Sequence, residues 1–258
     1  MFSKKRLGRG LHLAVIVWCV GLLLGNLTLL LRAVRQIRVK GSSHNLSRLG
    51  GGVLIVSNHV SIWEVMVGPL LRYPRFMWNF HLLAWNVADT ANFLEKRRWR
   101  WARRRMIGMP RGKGKECRRQ ALRATHRMSA VVRAGETLLL FPEGGRTSSI
   151  KDGERHRFGQ SGRRIRPFKP AGLARIMAAM RGRPLTVLPA WVERAEDSRK
   201  DLSRRSFDAW QPMTFVFGEP IIFPPGTSGE EMARQLEDAV LALADTLPPL
   251  TTSQTRPV

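Results

Sequence analysis

The chain has 258 residues, a formal net charge of +25 and 43% hydrophobic residues. That length supports one sizeable core or two small ones. The hydrophobic content excludes a disordered basic tail, and the charge restricts partners to polyanions: nucleic acid, anionic lipid or an acidic carrier protein. Two cysteines, Cys19 and Cys117, without CxxC spacing argue against a disulfide framework or a cysteine zinc site and fit a reducing, cytosol-facing location.

Residues 11–31, LHLAVIVWCVGLLLGNLTLLL, are almost wholly apolar. At ~1.5 Å per residue a helix of this length spans roughly one hydrocarbon core. Lys4, Lys5, Arg6 and Arg9 precede it, and Arg32, Arg35, Arg38 and Lys40 follow it, so the charge rule for loops does not choose an orientation. Gly21, Gly25 and Asn26 are places where a helix could break. A single span and a hairpin dipping into one leaflet, with both basic flanks on the cytoplasmic surface, are therefore both open. No small-residue cleavage site follows, which argues against a cleaved signal peptide.

A polar linker, KGSSHNLSRLGG, leads to VLIVS at 53–57, an apolar run expected to be a buried strand. SIWEVMV reads as a helix start whose length Pro69 limits. Residues 78–111 are aromatic and basic. A helix is expected over 116–132, with Leu122, Met128 and Val132 on one face. TLLLFP at 137–142 is a second buried strand, ending in PEGG. Residues 147–166 read as a long basic loop, 171–180 as a small-residue helix and 184–192 as a third strand. TFVFG and IIF flank the Gly218–Pro220 turn, and the last helix opens on a capping box, Ser228 to Glu231. Alternating helices and continuous apolar strands predict an α/β domain with a mostly parallel, covered sheet. The expected division is a membrane-anchoring segment at 1–40, an α/β domain at 41–247 and a loose tail at 248–258.

Three motifs carry chemistry. In SNHVSIWEVM, His59 follows a buried strand at its carboxyl end, where α/β domains place their sites. Glu64 lies five residues on. On one continuous helix the two would sit ~140° apart, but a helix beginning at Ser61 lets them meet. With Ser61 as N-cap, Glu64 closes a capping box and Val60 and Val65 form the hydrophobic staple. One Glu64 oxygen is then expected on the helix N-terminus and the other on the imidazole. A carboxylate there stabilises the imidazolium that forms when a general base takes a proton. In LFPEGGRTS, a tight turn accounts for Gly144 and Gly145 but not for Glu143 and Arg146 flanking it, and Arg146 is placed to grip a phosphate. In MIGMPRGKGKE, glycines alternate with Arg111, Lys113 and Lys115, the composition of either a phosphate cradle or a basic surface loop.

Taken together, NHVSIWE, IGMPRG, FPEGGR and LTVLPAW, in that order, resemble the blocks of the glycerolipid acyltransferases, whose best-known members act on lysophosphatidate. FKPAGLARIMAAM resembles the helix that follows the third block. The resemblance covers roughly residues 50–195. Two positions depart from it: the family's Asp is Glu64, and its Thr is Gly145. It implies that His59 is the general base on an acceptor hydroxyl and that Glu64 orients it. It also implies that Glu143, Gly144 and Arg146 hold the acceptor's glycerol phosphate, with Arg111 as a second contact. The donor would be acyl-CoA or acyl carrier protein as co-substrate. No cofactor, metal or acyl-enzyme is implied. The expected partners are anionic membrane lipids and a lysophospholipid, and the expected location is the inner (cytoplasmic) membrane with the active domain on its cytoplasmic side. A nucleic-acid-binding protein is the alternative that the charge and the Trp/Arg run EKRRWRWARRR offer, and an inactive protein on the same fold is another. The first leaves residues 11–31 and FPEGGR unexplained.

Overall fold

Val53–Ser57 is apolar up to its last residue, and in the computed structural model of the protein all five of its residues are buried. The structure describes residues 18, 21–41, 52–60, 63–95, 97, 102–110, 112, 114–145, 147, 155–194 and 212–248. In chain order the elements are a helix α1 over 21–33, β1 (Ile37–Gly41), β2 (Val53–Ser57), α2 (Trp63–Val67), α3 (Arg75–Trp78), β3 (Trp85–Asp89), β4 (Met106–Met109), α4 (Lys115–Arg133), β5 (Leu138–Leu140), β6 (Arg157–Phe158), β7 (Arg164–Ile165), α5 (Pro170–Ala178), β8 (Leu185–Arg194), β9 (Met213–Phe217), β10 (Ile221–Phe223) and α6 (Gly229–Asp245).

Eight strands form one sheet in the order β1-β9-β8-β2-β5-β3-β4, with β10 also on β8. The block β8, β2, β5, β3, β4 is parallel throughout, as is β1 with β9. The direction reverses only where β8 meets β9 and β10. Pro189 sits inside the central strand β8 without breaking it. β10 pairs residues 185–187 and β9 pairs 190–194, so Pro189 falls at the changeover, where an outward N–H has no partner to serve.

Alternate residues of the strands face two covered sides. Leu54 and Val56 pack with Met128 and Val132 of α4, Ile176 of α5, and Leu236 and Val240 of α6. Val53 and Ile55 pack with Val67, Leu71, Phe215 and Phe217, with Leu31 at the margin. This two-sided burial is why the strands lack polar alternation.

Several local expectations change. Residues 37–40, expected as a basic flank of the anchor, lie in β1, a strand at the sheet edge. Residues 106–109, read as part of a loop that was either a phosphate cradle or a basic surface loop, form strand β4. A Cβ on Gly108 would lie 2.2 Å from Leu94 Cδ1, so this glycine permits close packing of the strand rather than approach of a ligand. Leu122 points to solvent; the inner face of α4 uses Ala124, Met128, Val131 and Val132. After Val67 the chain tightens into a 3-10 turn (Gly68–Arg72) with Pro69 in its first turn, as Pro requires. The described part of the basic loop is not loose. Arg157 donates to Glu237 at 2.8 Å and to Asp238 at 2.6 Å, and Asp245 receives the N–H groups of Gln160 and Ser161, which clamps the β6–β7 hairpin onto α6.

Helix α1 continues through Gly25 and Asn26. Its small face docks: a Cβ on Gly21 would lie 2.8 Å from Met77 Sδ, and one on Gly25 would overlap the Tyr73 ring, whose hydroxyl donates to Asn26 Oδ1 at 2.8 Å. The large apolar side chains Leu23, Leu27, Leu30 and Val34 face outward. Among the described residues no helix is long and apolar enough to cross a membrane.

Candidate active site

The site lies where β2, β5 and β8 end. β2 pairs with β8 as far as Ser57 and Ala190, and there the ladder is extended by a side chain. Asn58 is 1% exposed; its amide donates to Val192 O at 2.9 Å, and its Oδ1 receives Val192 N–H at 2.7 Å. Asn58 thus stands in for a peptide unit, freeing the backbone to turn away while the loop stays fixed to the sheet.

His59 is held at four points. Its N–H donates to Glu143 Oε1 at 3.0 Å, and its carbonyl receives Thr147 N–H at 2.6 Å. Its ring lies over Phe141, with centroids 4.7 Å apart and planes 28° from parallel. Its Nδ1 is 2.7 Å from Glu64 Oε1. Glu64 is fully buried, and the same Oε1 receives Val60 N–H at 2.7 Å. Oε1 thus receives both the imidazole Nδ1 and a backbone N–H of the loop that carries it, while the N–H of Ser61, expected on the other oxygen, lies outside the described residues. Since a carboxylate only accepts, Nδ1 carries the proton and Nε2 the lone pair. The His59 side chain is 22% exposed, which leaves this face open to a reactant.

Glu143 is turned inward, at 3% exposure. Besides His59 N–H it takes the Thr147 hydroxyl at 2.8 Å and Arg166 N–H at 3.3 Å. Burial pushes its carboxyl up to about 7 against the opposing pull of these donors and of the Arg166 charge. Its partners are the loops that carry the site, so in this structure Glu143 acts on the position of His59. Gly144 has φ +68, the left-handed conformation that completes the turn. Arg111 and Arg146 lie outside the described residues, as does Ser61, so the expected N-cap has no counterpart to compare. Asn58, Thr147 and Arg166 were not marked from sequence, and Lys169 entered only as part of the FKPAGLARIMAAM block. Asn58 sits inside the motif beside His59, which is the signal that could have found it.

Beside the dyad an apolar cleft runs between the sheet and the segment after α2, lined by Ile55, Gly68, Leu139, Phe141, Val192 and Phe217, with Glu64 at its wall. The arrangement can take a proton from a hydroxyl that approaches beside a small, mostly apolar recess. Among the described residues no group of three metal-binding side chains is gathered.

A model of the family described as Acyltransferase matches residues 36–193, more than half of the chain. Among solved structures, the 1-acyl-sn-glycerophosphate (LPA) acyltransferase PlsC from Thermotoga maritima has a similar fold, with a TM-score of 0.50, 16% sequence identity, and coverage of 93% of this chain and 97% of that one. No curated protein matches. At this identity the structural likeness speaks for the fold alone. The family match encloses His59, Glu64 and the Glu143 turn, and by it the chain belongs to the Acyltransferase family, in keeping with the glycerolipid acyltransferases its motifs resemble.

Proposed function

We propose that the protein transfers a fatty acyl group from a thioester, acyl-CoA or acyl carrier protein, to the hydroxyl of a lysophospholipid. The acceptor we favour is 1-acylglycerol-3-phosphate, giving phosphatidate, in phospholipid biosynthesis or remodelling. The observation that carries this reading is the His59–Glu64 pair at 2.7 Å opening beside an apolar cleft.

In the reaction, Nε2 of His59 takes the proton of the acceptor hydroxyl as its oxygen attacks the thioester carbonyl carbon. The new C–O bond forms and the tetrahedral intermediate expels the thiolate, which recovers the proton from the imidazolium. Glu64 faces that transient cation from a buried position, where its charge is weakly screened. The acyl chain enters by the cleft, whose walls are mostly hydrocarbon, with Glu64 and Ser57 among them. Glu143 keeps His59 in register through the backbone. Arg111 and Arg146 are proposed to contact the acceptor's phosphate.

The outward leucines of α1, the Trp18–Trp78 pair and the basic residues Arg32 and Arg35 support a membrane-surface location on the cytoplasmic side, where the active domain meets lipid substrate and anionic headgroups. The test of the reaction is thioester consumption with a panel of lysolipids by the full chain. His59→Ala is expected to lose at least ~10³-fold in rate; equal turnover by the two proteins overturns the reading.

A further inference from the structure

Charge is not spread evenly over the helices that cover the sheet. Helix α4, KECRRQALRATHRMSAVVR, holds six lysines and arginines and one carboxylate. Helix α6, GEEMARQLEDAVLALAD, holds five carboxylates and one arginine. The acids of α6 are used inside the molecule: Glu237 and Asp238 hold Arg157, Asp245 holds the β6–β7 turn, and Glu231 holds Arg234. The cations of α4 are not. Lys115, Arg118, Arg119, Arg123 and Arg127 are exposed, and among the described residues no carboxylate pairs with them. The one acid, Glu116, takes the Gln120 amide at 3.1 Å. Leu122, 46% exposed, stands at helical spacing among Arg118, Arg119 and His126, with Arg123 beside it. The outer face of α4 is thus a cationic ridge with an apolar spot in it, and the steps at His59 leave it unused.

The fold places this ridge. α4 follows β4, which belongs to the same parallel block as β3, β5 and β2. Its first turn therefore lies at the edge of the sheet where His59 leaves β2. In the order β2-β5-β3-β4 the ends of β2 and β4 are three strand spacings apart, roughly 15 Å. α4 packs on the Leu54 and Val56 side of the sheet, and α1 on the Val53 and Ile55 side. The sheet thus stands between the ridge and the outward leucines of α1, and a flat bilayer met by α1 lies across the sheet from α4.

We propose that the outer face of α4 docks an acidic carrier protein that bears the acyl group as a thioester on a flexible arm. This rests on the acyl-transfer reading for the thioester and deepens it by choosing the protein-borne donor. A free coenzyme is small and needs its cations gathered at one point, whereas these extend over about three turns of helix. Opposite charge over such a face speeds encounter and fixes orientation, and Leu122 supplies an apolar contact inside the cationic rim.

The test compares wild type with Arg119→Glu/Arg123→Glu, which reverses two ridge charges, and with Arg119→Lys/Arg123→Lys, which keeps them. The readouts are KM and kcat for palmitoyl-acyl carrier protein and for palmitoyl-CoA with the same lysophosphatidate, direct binding of fluorescently labelled palmitoyl-acyl carrier protein, and flotation with anionic vesicles. The reversal is expected to raise KM for the carrier-protein donor about tenfold or more and to weaken its binding to the same extent, with kcat and the KM for palmitoyl-CoA within about twofold of wild type. The lysine pair is expected to behave as wild type, and carrier-protein binding to fall as salt rises. Unchanged KM and binding for the carrier protein in the reversal, or an equal rise in KM for both donors, overturns the proposal while leaving the acyl-transfer reading intact. So does a loss of vesicle flotation with carrier-protein binding unchanged, which gives the ridge to lipid. Wild-type protein that turns over neither thioester, yet binds the carrier protein only when the ridge is cationic, overturns the acyl-transfer reading and supports the docking surface.

Discussion

The backbone N–H of His59 donates to Oε1 of Glu143 across 84 residues of sequence. This bond joins the two motif loops, and it makes the ionisation of Glu143 a matter of both stability and site geometry. Burial raises its carboxyl from the usual 4.5 to about 7. A carboxyl whose pKa is higher folded than unfolded binds protons on folding. Its effect is absent below about pH 4.5, where both states are protonated. Stability then falls as pH rises through the window from 4.5 to 7, and the loss levels off above that at about 3 kcal/mol. Glu143→Gln removes this titration. The expected outcome is that urea unfolding at pH 5 and pH 8 differs less for the variant than for wild type by up to about 3 kcal/mol. An identical pH dependence in the two proteins would show that the carboxyl is not held in this way.

Glu64 offers a sharper contrast, because one oxygen receives both His59 Nδ1 and Val60 N–H at 2.7 Å. Glu64→Gln keeps a carbonyl oxygen for these donors but removes the charge facing the imidazolium. It is expected to fold within ~1 kcal/mol of wild type and to lose roughly 10²- to 10⁴-fold in kcat. Glu64→Asp places the family's own residue here but withdraws the oxygen by one methylene. With both donors converging on one atom the shorter side chain cannot keep both contacts, so a loss of rate together with a loss of stability is expected. Steady-state kinetics paired with urea unfolding separates these effects. Full activity in Glu64→Gln means that the residue only caps the helix.

The parts legible in the sequence are those governed by neighbours in sequence. VLIVS announces a buried strand because every residue is apolar, and His59 and Glu64 meet because the chain turns between them into α2. What escaped notice depends on distant chain. β1 reads as a basic flank because, as an edge strand, it buries mainly Ile37. β4 reads as a glycine-rich loop because Gly108 is needed for its packing on Leu94, 14 residues away in sequence and invisible to any local pattern. The FKPAGLARIMAAM block is visible in the sequence, but that its Lys169 lies over Gly144 is not. Likewise, Gly21 and Gly25 look like helix breakers until Met77 and Tyr73 are found against them.

Asn58 is the residue whose loss should do most damage without touching the reacting atoms. It satisfies both the N–H and the carbonyl of Val192 from a fully buried position. Asn58→Ala strands both groups, at about 1–3 kcal/mol each, so a total near 3 kcal/mol is expected in urea unfolding. Asn58→Asp retains the acceptor for Val192 N–H but sets a carboxylate against the Val192 carbonyl, and is expected to be no better than Ala. A change below about 0.5 kcal/mol in either variant would mean that the loop is held by other contacts.

The outward face of α1 has a composition opposite to that of a solvated helix. Leu23, Leu27, Leu30 and Val34 recur at helical spacing and are 72%, 47%, 59% and 55% exposed, while the glycines face inward. Trp78, 80% exposed and edge-on to Trp18, lies near the same side, and Arg32 and Arg35 follow at the helix end. Leucines that insert into lipid contribute ~1.5–3 kcal/mol each, and nearby arginines add about 1 kcal/mol each against an anionic surface. Replacing Leu23 and Leu30 by Glu is therefore expected to lower binding to anionic vesicles by at least ~10²-fold. Because α1 docks through its other face, the double variant should retain wild-type stability and wild-type turnover of a short-chain, water-soluble lysolipid. Vesicle flotation at low and high salt distinguishes the two contributions: the arginine part weakens with salt and the leucine part does not. Undiminished flotation of the double variant would mean that this face is not what holds the protein at a membrane.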